Sequence, residues 1–266
     1  MAQDHTIMAA RYELKYLIPH STALRVRAFV RQYLELDEFC VGLPNSSYPI
    51  HSYYYDTDDW KIYWRTINGD KNRFKLRVRF YNDSNKTPVF WEIKRRMKDV
   101  ILKQRCGIKR PCAHFALAGQ LPDASEMIAP TNPADLKAIQ DFFQLQFDLG
   151  AYPMMHVAYV REAYVNNYNN EVRLTFDRHV RVEPIPEPTK LTTKMRDPFV
   201  CTGPCEDPED VVILELKFSG RFPNWYQDLV ESFDLMQSGA SKYLEGTLMH
   251  AGRRLDAKDV IRNMIL

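Results

Sequence analysis

The sequence predicts an α+β fold that is mainly antiparallel β with helices at its periphery, and three observations predict it. Segments in which charged and apolar residues alternate recur along the 266 residues, the period-two signature of strands with two unlike faces. Polar turns join several of these segments at hairpin spacing. Three other stretches, at about 21–34, 133–148 and from 223 onward, carry apolar residues at helical spacing.

Residues 11–18 form the first strand, with Glu13 and Lys15 on one face and Tyr12, Leu14 and Tyr16 on the other. Pro19 ends it, and Ser21 is placed to cap a helix whose Leu24, Ala28, Val30 and Leu34 share a side. Ile50 to Asp56 is a tyrosine-rich strand, after which Thr57 and Asp58 can cap a short helix carrying Trp60, Tyr63 and Trp64. Asn68-Gly69-Asp70 turns the chain into strand 74–81, which a polar turn at 82–88 joins to strand 89–96. A shorter strand, 100–105, adds Lys103.

From about 107 to 153 the pattern becomes helical, with Leu136, Ile139, Phe142, Phe143 and Leu145 as an apolar stripe, and it reads as an insertion on the sheet. Strands at 155–165 and 171–183 flank the asparagine-rich loop 166–170. Residues 184–208 hold six of the sixteen prolines and make a long extended connection. Strand 211–218 is the eighth, and helices fill about 223–266. The whole chain, 1–266, is expected to be a single domain.

Composition narrows the function. With 36 basic and 34 acidic residues the net charge is only +2, so anion binding must come from where charges sit, and nonspecific nucleic-acid binding gains little support. No apolar run reaches the roughly 18 to 20 residues of a membrane span, and no leader precedes the first strand, so a cytoplasmic protein is expected. Five irregularly spaced cysteines suit a reducing compartment; Cys201 and Cys205 could be free thiols or a metal clip. P-loop, His-Glu-x-x-His and Gly-x-Ser-x-Gly motifs are absent.

The most informative feature is Lys75, Arg77 and Arg79, consecutive on one strand face opposite Leu76 and Val78. Like charges in a row repel unless an anion lies among them. Other strands repeat the theme with a carboxylate two positions from a cation: Glu13 and Lys15, Glu92 and Lys94, Glu171 and Arg173, Glu215 and Lys217. These faces could meet water on a plain antiparallel sandwich. Turned inward, about eight strands would enclose a lumen wide enough for one slim ligand, such as a phosphate chain with a divalent metal.

Together, Arg11-Tyr-Glu-Leu-Lys15-Tyr16, the Lys75/Arg77/Arg79 strand with Tyr81, Glu92-Ile-Lys94, Tyr159-Val-Arg161, Glu171 to Asp177, Ile213-Leu-Glu215-Leu-Lys217 and Ser241-Lys242-Tyr243 resemble the VTC domain. That is the polyphosphate polymerase branch of the triphosphate tunnel metalloenzymes, and the resemblance runs from about residue 10 to 250. It implies an eight-stranded closed antiparallel tunnel with a charged lumen, Mn²⁺ or Mg²⁺ as cofactor, and ATP, polyphosphate, pyrophosphate or tripolyphosphate as partners. Carried over, Lys15, Arg77, Arg79, Lys94, Arg161, Arg173 and Lys242 would hold phosphates and Glu215 the metal. Lys75, Lys103, Lys217 and Glu92 follow as substrate-binding candidates, and Glu13 as a second metal ligand.

The implied reaction is transfer of the γ-phosphate of ATP onto a growing polyphosphate chain. Hydrolysis of tripolyphosphate or a nucleoside triphosphate is one alternative, and a polyphosphate-binding module without turnover is another. Arg11 stands where the hydrolases of that superfamily carry the first acid of Glu-x-Glu-x-Lys, which favours the polymerase branch. The resemblance is to a free-standing bacterial version, without the sensor domain and membrane segments of the eukaryotic complex. Oligomeric state is left open. Asp177 could order Arg161 or Arg173, or bind metal. Trp60, Tyr63 and Trp64 could stack an adenine or belong to the core, His51 and His156 are expected to be packed residues, and Lys103 and Arg105 could be solvated edge charges.

Overall fold

The computed structural model describes residues 11–97, 100–166, 172–200, 210–238, 242–243 and 247–248. Its strands are β1 (Arg11–Pro19), β2 (Glu35–Leu36), β3 (Tyr48–Asp56), β4 (Asn72–Phe80), β5 (Val89–Met97), β6 (Val100–Ile108), β7 (Tyr152–Val165), β8 (Val172–Pro184), β9 (Phe199–Val200) and β10 (Val211–Ser219). The helices are α1 (His20–Val30), α2 (Lys61–Ile67), α3 (Ala113–Leu117), α4 (Pro133–Leu149) and α5 (Asn224–Ser232). All eight strands expected from the sequence are present, within a few residues of their expected ends.

The strands form one antiparallel sheet in the order β1-β10-β8-β7-β3-β4-β5-β6, with β2 added to β7 and β9 to β8. The fold is thus α+β and mostly antiparallel sheet, as the alternation predicts. The closed barrel is not formed: the path ends at β1 and β6, and no ladder joins those edges among the described residues. A ladder needs backbones about 4.8 Å apart. Here Lys94 of β5 instead reaches past β6 to Glu13 of β1, with Nζ 2.8 Å from Oε2, so side chains bridge the seam of an open, curled sheet.

The apolar faces point outward and are covered by helices. Leu76, Val78, Trp91, Ile93 and Cys106 pack with Ala138, Ile139 and Phe142 of α4 in one core. Tyr16, Leu174, Leu214 and Leu216 pack with Val26 and Val30 of α1 and with Tyr226 and Leu229 of α5 in a second. A third cluster, containing Ile50, Tyr54, Met155, Val157, Val182 and Ile213, lies on the concave side. Glu13, Lys15, Lys75, Arg77, Arg79, Glu92, Lys94, Arg161, Asp177, Glu215 and Lys217 occupy the rest of that side, whereas Glu162 of β7 pairs with Arg178 of β8 and Arg27 of α1 on the other.

Two caps differ from expectation. Pro19, not Ser21, precedes α1 and offers no side chain; Asp210 Oδ1 instead accepts the His20 backbone N–H at 3.2 Å. At α2, Thr57 Oγ1 accepts from Lys61 N as anticipated, but Asp58 accepts from the Tyr152 hydroxyl. The main cap is Asp56, whose carboxylate accepts N–H groups of Thr57, Ile62 and Tyr63 at 2.8 to 2.9 Å. Trp60 at the cap holds the left-handed conformation, φ 57°.

Candidate functional site

The row that dominates the sequence lies on the concave face. In register, Lys75 stands beside Lys94 and then Lys103, while Arg77 stands beside Glu92 and then Arg105. The acid missing from β4 is therefore supplied by β5. Glu92 is buried and receives Arg77 Nε at 2.7 Å, Lys103 at 2.8 Å and Arg105 at 3.3 Å. Burial alone would raise its pKa, but Arg77, Arg79 and Lys103 hold it well below the usual carboxylate range. Arg77 also donates to the Tyr54 hydroxyl at 3.1 Å.

Arg79 sits deeper. Its guanidinium donates to Ser52 Oγ at 3.3 Å and to the Tyr159 hydroxyl at 3.2 Å, it is buried, and no carboxylate makes an ion pair with it among the described residues. Glu92 is near enough to interact with its charge, but the direct partners of Arg79 are neutral hydroxyls, which leave the guanidinium without a carboxylate in contact. It is a natural place for an anion to bind.

The opposite wall is balanced. Because β1 and β10 run antiparallel, Glu13 faces Lys217 and Lys15 faces Glu215, a checkerboard of opposite charges. Lys15 lies 3.2 Å from Glu13 and 3.5 Å from Glu215, and Lys217 lies 2.7 Å from Glu215. Asp177 of β8 takes Arg161 in a two-pronged pair at 2.6 and 2.7 Å and Lys242 at 2.6 Å. Glu215 joins both, with Arg161 at 3.2 Å and Lys242 at 3.1 Å.

Burial opposes every charge here, and neighbours decide the outcome. Lys217 and Lys94 with Lys15 keep Glu13 ionised far below its ordinary value, and Lys217, Lys242, Lys15 and Arg161 do the same for Glu215. Lys15 and Lys242 are pushed up despite burial, by Glu215 with Glu13 and by Asp177 with Glu215. Where burial wins the pKa falls. Lys217 drops to about 8 and Lys103 to about 7, against the pull of Glu215 and Glu92 respectively, while burial with Lys15, Lys94 and Arg77 nearby takes Lys75 well below its ordinary value.

The structure thus brings together Glu13, Lys15, Lys75, Arg77, Arg79, Glu92, Lys94, Lys103, Arg161, Asp177, Glu215, Lys217 and Lys242. Arg173 stands beside Lys217 in register, but its carboxylate partner is Asp37, at 3.1 Å; of the two orderings open to Asp177, the pair is with Arg161. Trp60, Tyr63 and Trp64 pack on the concave apolar cluster. His51 and His156 lie 3.0 Å apart on the other face, where burial and His156 push His51 down to about 4. Glu171, Cys201, Cys205, Ser241 and the Arg11 side chain lie outside the described residues.

Sequence reasoning missed Ser52, Tyr54, Asp37 and Asp56. Tyrosines at 53, 54 and 55 hide which face of β3 is which, and Asp37 follows no strand pattern. The donor set suits a hard cation: Glu215 and Glu13 offer oxygens and nothing softer. No group of three or more His, Cys, Asp or Glu gathers as ligands among the described residues, but Mg²⁺-type ions take one or two carboxylates and complete their shell with phosphate and water oxygens.

A family model for the VTC domain matches residues 10–250. The chain belongs to the VTC-domain family. The PH1819 protein from Pyrococcus horikoshii OT3, a solved structure, is similar at 15% identity and TM-score 0.43, over 90% of this chain and 99% of that one. A search of curated proteins returns no match. None of the described helices is long and apolar enough to cross a membrane.

Proposed function

We propose that this VTC-domain protein is a single-domain, cytoplasmic polyphosphate polymerase that transfers the γ-phosphate of ATP to the end of a polyphosphate chain. The observation that carries this reading is the convergence of Arg77, Arg79, Lys94, Arg161, Lys15 and Lys242, from four strands and the C-terminal segment, on one concave face.

Arg77, Arg79 and Arg161 supply planar donors that fit phosphate oxygens two at a time, and Lys15, Lys94 and Lys242 supply point charges. Arg173 and the remaining lysines would meet the chain nearer the rim. Glu215, with Glu13 beside it, would hold Mn²⁺ or Mg²⁺, which when bound supplies charge neutralisation for the triphosphate. In the reaction a terminal phosphate oxygen of the chain attacks the γ-phosphorus of ATP. The bond from that phosphorus to the β–γ bridging oxygen breaks, and ADP leaves with the electron pair. The residues contribute alignment and neutralisation of equatorial charge, which is most of what phosphoryl transfer asks of a protein.

Incubation with ATP and Mn²⁺, with products resolved by gel and phosphorus NMR, tests the reading. Long chains with stoichiometric ADP are expected. Release of free phosphate without chains would replace polymerisation by hydrolysis, and binding without turnover would leave a polyphosphate-binding module.

A further inference from the structure

We infer that Tyr54 is a further phosphate-binding residue: its hydroxyl accepts an N–H from Arg77 and donates its own proton to a phosphate oxygen in the lumen. The inference rests on the reading that the concave face binds phosphate chains, and it deepens that reading by adding a neutral donor which no charge pattern marks.

Tyr54 of β3 stands opposite Arg77 of β4 in register, so its ring shares the concave face with the cation row. Two neighbours hold it there. Tyr243 stacks on the ring with centroids 5.0 Å apart, and the Tyr243 hydroxyl donates to Asp56, the carboxylate that caps α2. The Arg77 guanidinium lies 5.9 Å from the ring centroid and donates from Nη1 to the Tyr54 hydroxyl at 3.1 Å. Arg77 is aimed in turn by Glu92, whose Oε2 takes Nε at 2.7 Å and Nη2 at 2.6 Å.

A phenol oxygen can accept and donate at once, whereas a guanidinium only donates. The proton of Tyr54 therefore needs an acceptor other than Arg77. Among the described residues none accepts it, and Tyr54 is only 8% exposed. A buried donor left unmade is costly, so the site gains when a ligand brings the missing oxygen. The surroundings say which kind. Burial would raise the Tyr54 pKa, but Arg77, Arg79 and Lys242 draw it below its ordinary value, which places the hydroxyl within the field of three cations assigned to phosphate. An oxygen attracted to those cations is an anion's oxygen, and a hydrogen bond to it is of the strong, charge-assisted kind. Because the ring is already clamped, little side-chain freedom is lost when that bond forms.

Tyr54→Phe removes the hydroxyl and keeps the ring that stacks on Tyr243. Tripolyphosphate affinity is measured by calorimetry, at fixed Mn²⁺ and ionic strength, for the full-length wild type, Y54F, R77A and the double variant. Binding is expected to be about tenfold or more weaker in Y54F, the loss of one hydrogen bond to a charged acceptor. The double variant separates donation from mere support of Arg77. If the hydroxyl bonds phosphate itself, Y54F still weakens binding when Arg77 is gone. Arg77→Met, which fills the same space, replaces R77A in the cycle where that variant does not fold. Wild-type affinity in Y54F, or a loss that vanishes without Arg77, would overturn the donor role while leaving the polyphosphate reading intact. No tripolyphosphate binding by the wild type would overturn both.

Discussion

Replacing Asp177 by Asn removes one charge at the most buried point of the site and leaves its shape. Asp177 is 0% exposed and accepts three charge-assisted contacts, two from Arg161 and one from Lys242. Removing one partner of a buried ion pair costs about 3 to 5 kcal/mol. Glu215 still touches both cations, at 3.2 and 3.1 Å, so the lower end applies, about 3 kcal/mol. For a chain of this size each kcal/mol moves Tm by about 2 to 4 °C, so unliganded D177N should melt roughly 6 to 12 °C below wild type. The variant also has one carboxylate fewer competing with a bound anion, so tripolyphosphate should raise its Tm by more than it raises that of wild type. Differential scanning fluorimetry with and without saturating tripolyphosphate reads both numbers. A drop under about 2 °C, or a ligand-induced rise smaller than that of wild type, would refute the reasoning.

Arg77→Ala and Arg79→Ala should each weaken tripolyphosphate binding by roughly tenfold to a hundredfold, the worth of one or two charge-assisted hydrogen bonds of about 1.5 to 3 kcal/mol; wild-type affinity in R79A, measured by calorimetry, would remove that residue from the site. Glu215→Gln should abolish Mn²⁺-dependent turnover while metal-free tripolyphosphate binding persists, and normal turnover would take Glu215 out of the metal site. Lys103 near 7 and Lys217 near 8 lose their protons as pH rises through those values, so affinity for tripolyphosphate should fall between pH 6.5 and 9. At pH 8 binding should take up protons, visible as a buffer-dependent enthalpy. The same depressed lysines make the unliganded fold more stable as pH rises through that window, because the unfolded chain there holds more protons. Phe142→Ala should cost about 3 to 5 kcal/mol through cavity formation with tripolyphosphate affinity unchanged, since Phe142 packs between α4 and the outer face of the sheet.

The strands were legible because alternation is a local signal: Lys75, Arg77 and Arg79 against Leu76 and Val78 leave one reading for β4. What alternation cannot tell is which face is inside. A sandwich with solvated charges and a curled sheet with enclosed ones share the same pattern, and only pairing across the sheet separates them, as when Lys94 meets Glu13. Closure was over-read for the same reason, since whether β1 and β6 pair depends on accumulated curl and on no single residue. Asp56 and Tyr243 were invisible as a pair because they lie far apart in sequence, and Ser52 and Tyr54 because uncharged hydroxyls carry no signal until an arginine is found beside them. Arg173, which the sequence grouped with the other cations, is drawn off by Asp37, a residue in an irregular segment.

The carboxylates of the site do more than offer metal ligands, and their distribution argues a division of labour. On the β1–β10 wall, Glu13 opposite Lys217 and Lys15 opposite Glu215 balance charge by register alone, so that wall tolerates an empty lumen and needs no anion to hold it together. On the β4–β5–β6 wall, register instead lines up Lys75, Lys94 and Lys103, three cations abreast. Glu92 takes Lys103 together with the arginines of the next row, and Glu13 takes Lys94 across the seam, so among the described residues the wall has one carboxylate of its own for the six cations Lys75, Arg77, Arg79, Lys94, Lys103 and Arg105. A phosphate chain gains most along the unbalanced wall, where it relieves repulsion as well as making contacts. A divalent cation gains most near Glu215 and Glu13, where carboxylates are already ionised and a phosphate could take over the lysines they release. Charge reversal of Lys94 to Glu should therefore weaken tripolyphosphate far more than Lys217 to Glu does, although both sites carry one lysine. Equal losses, measured side by side by calorimetry, would show that the two walls share the phosphate and that this division is wrong.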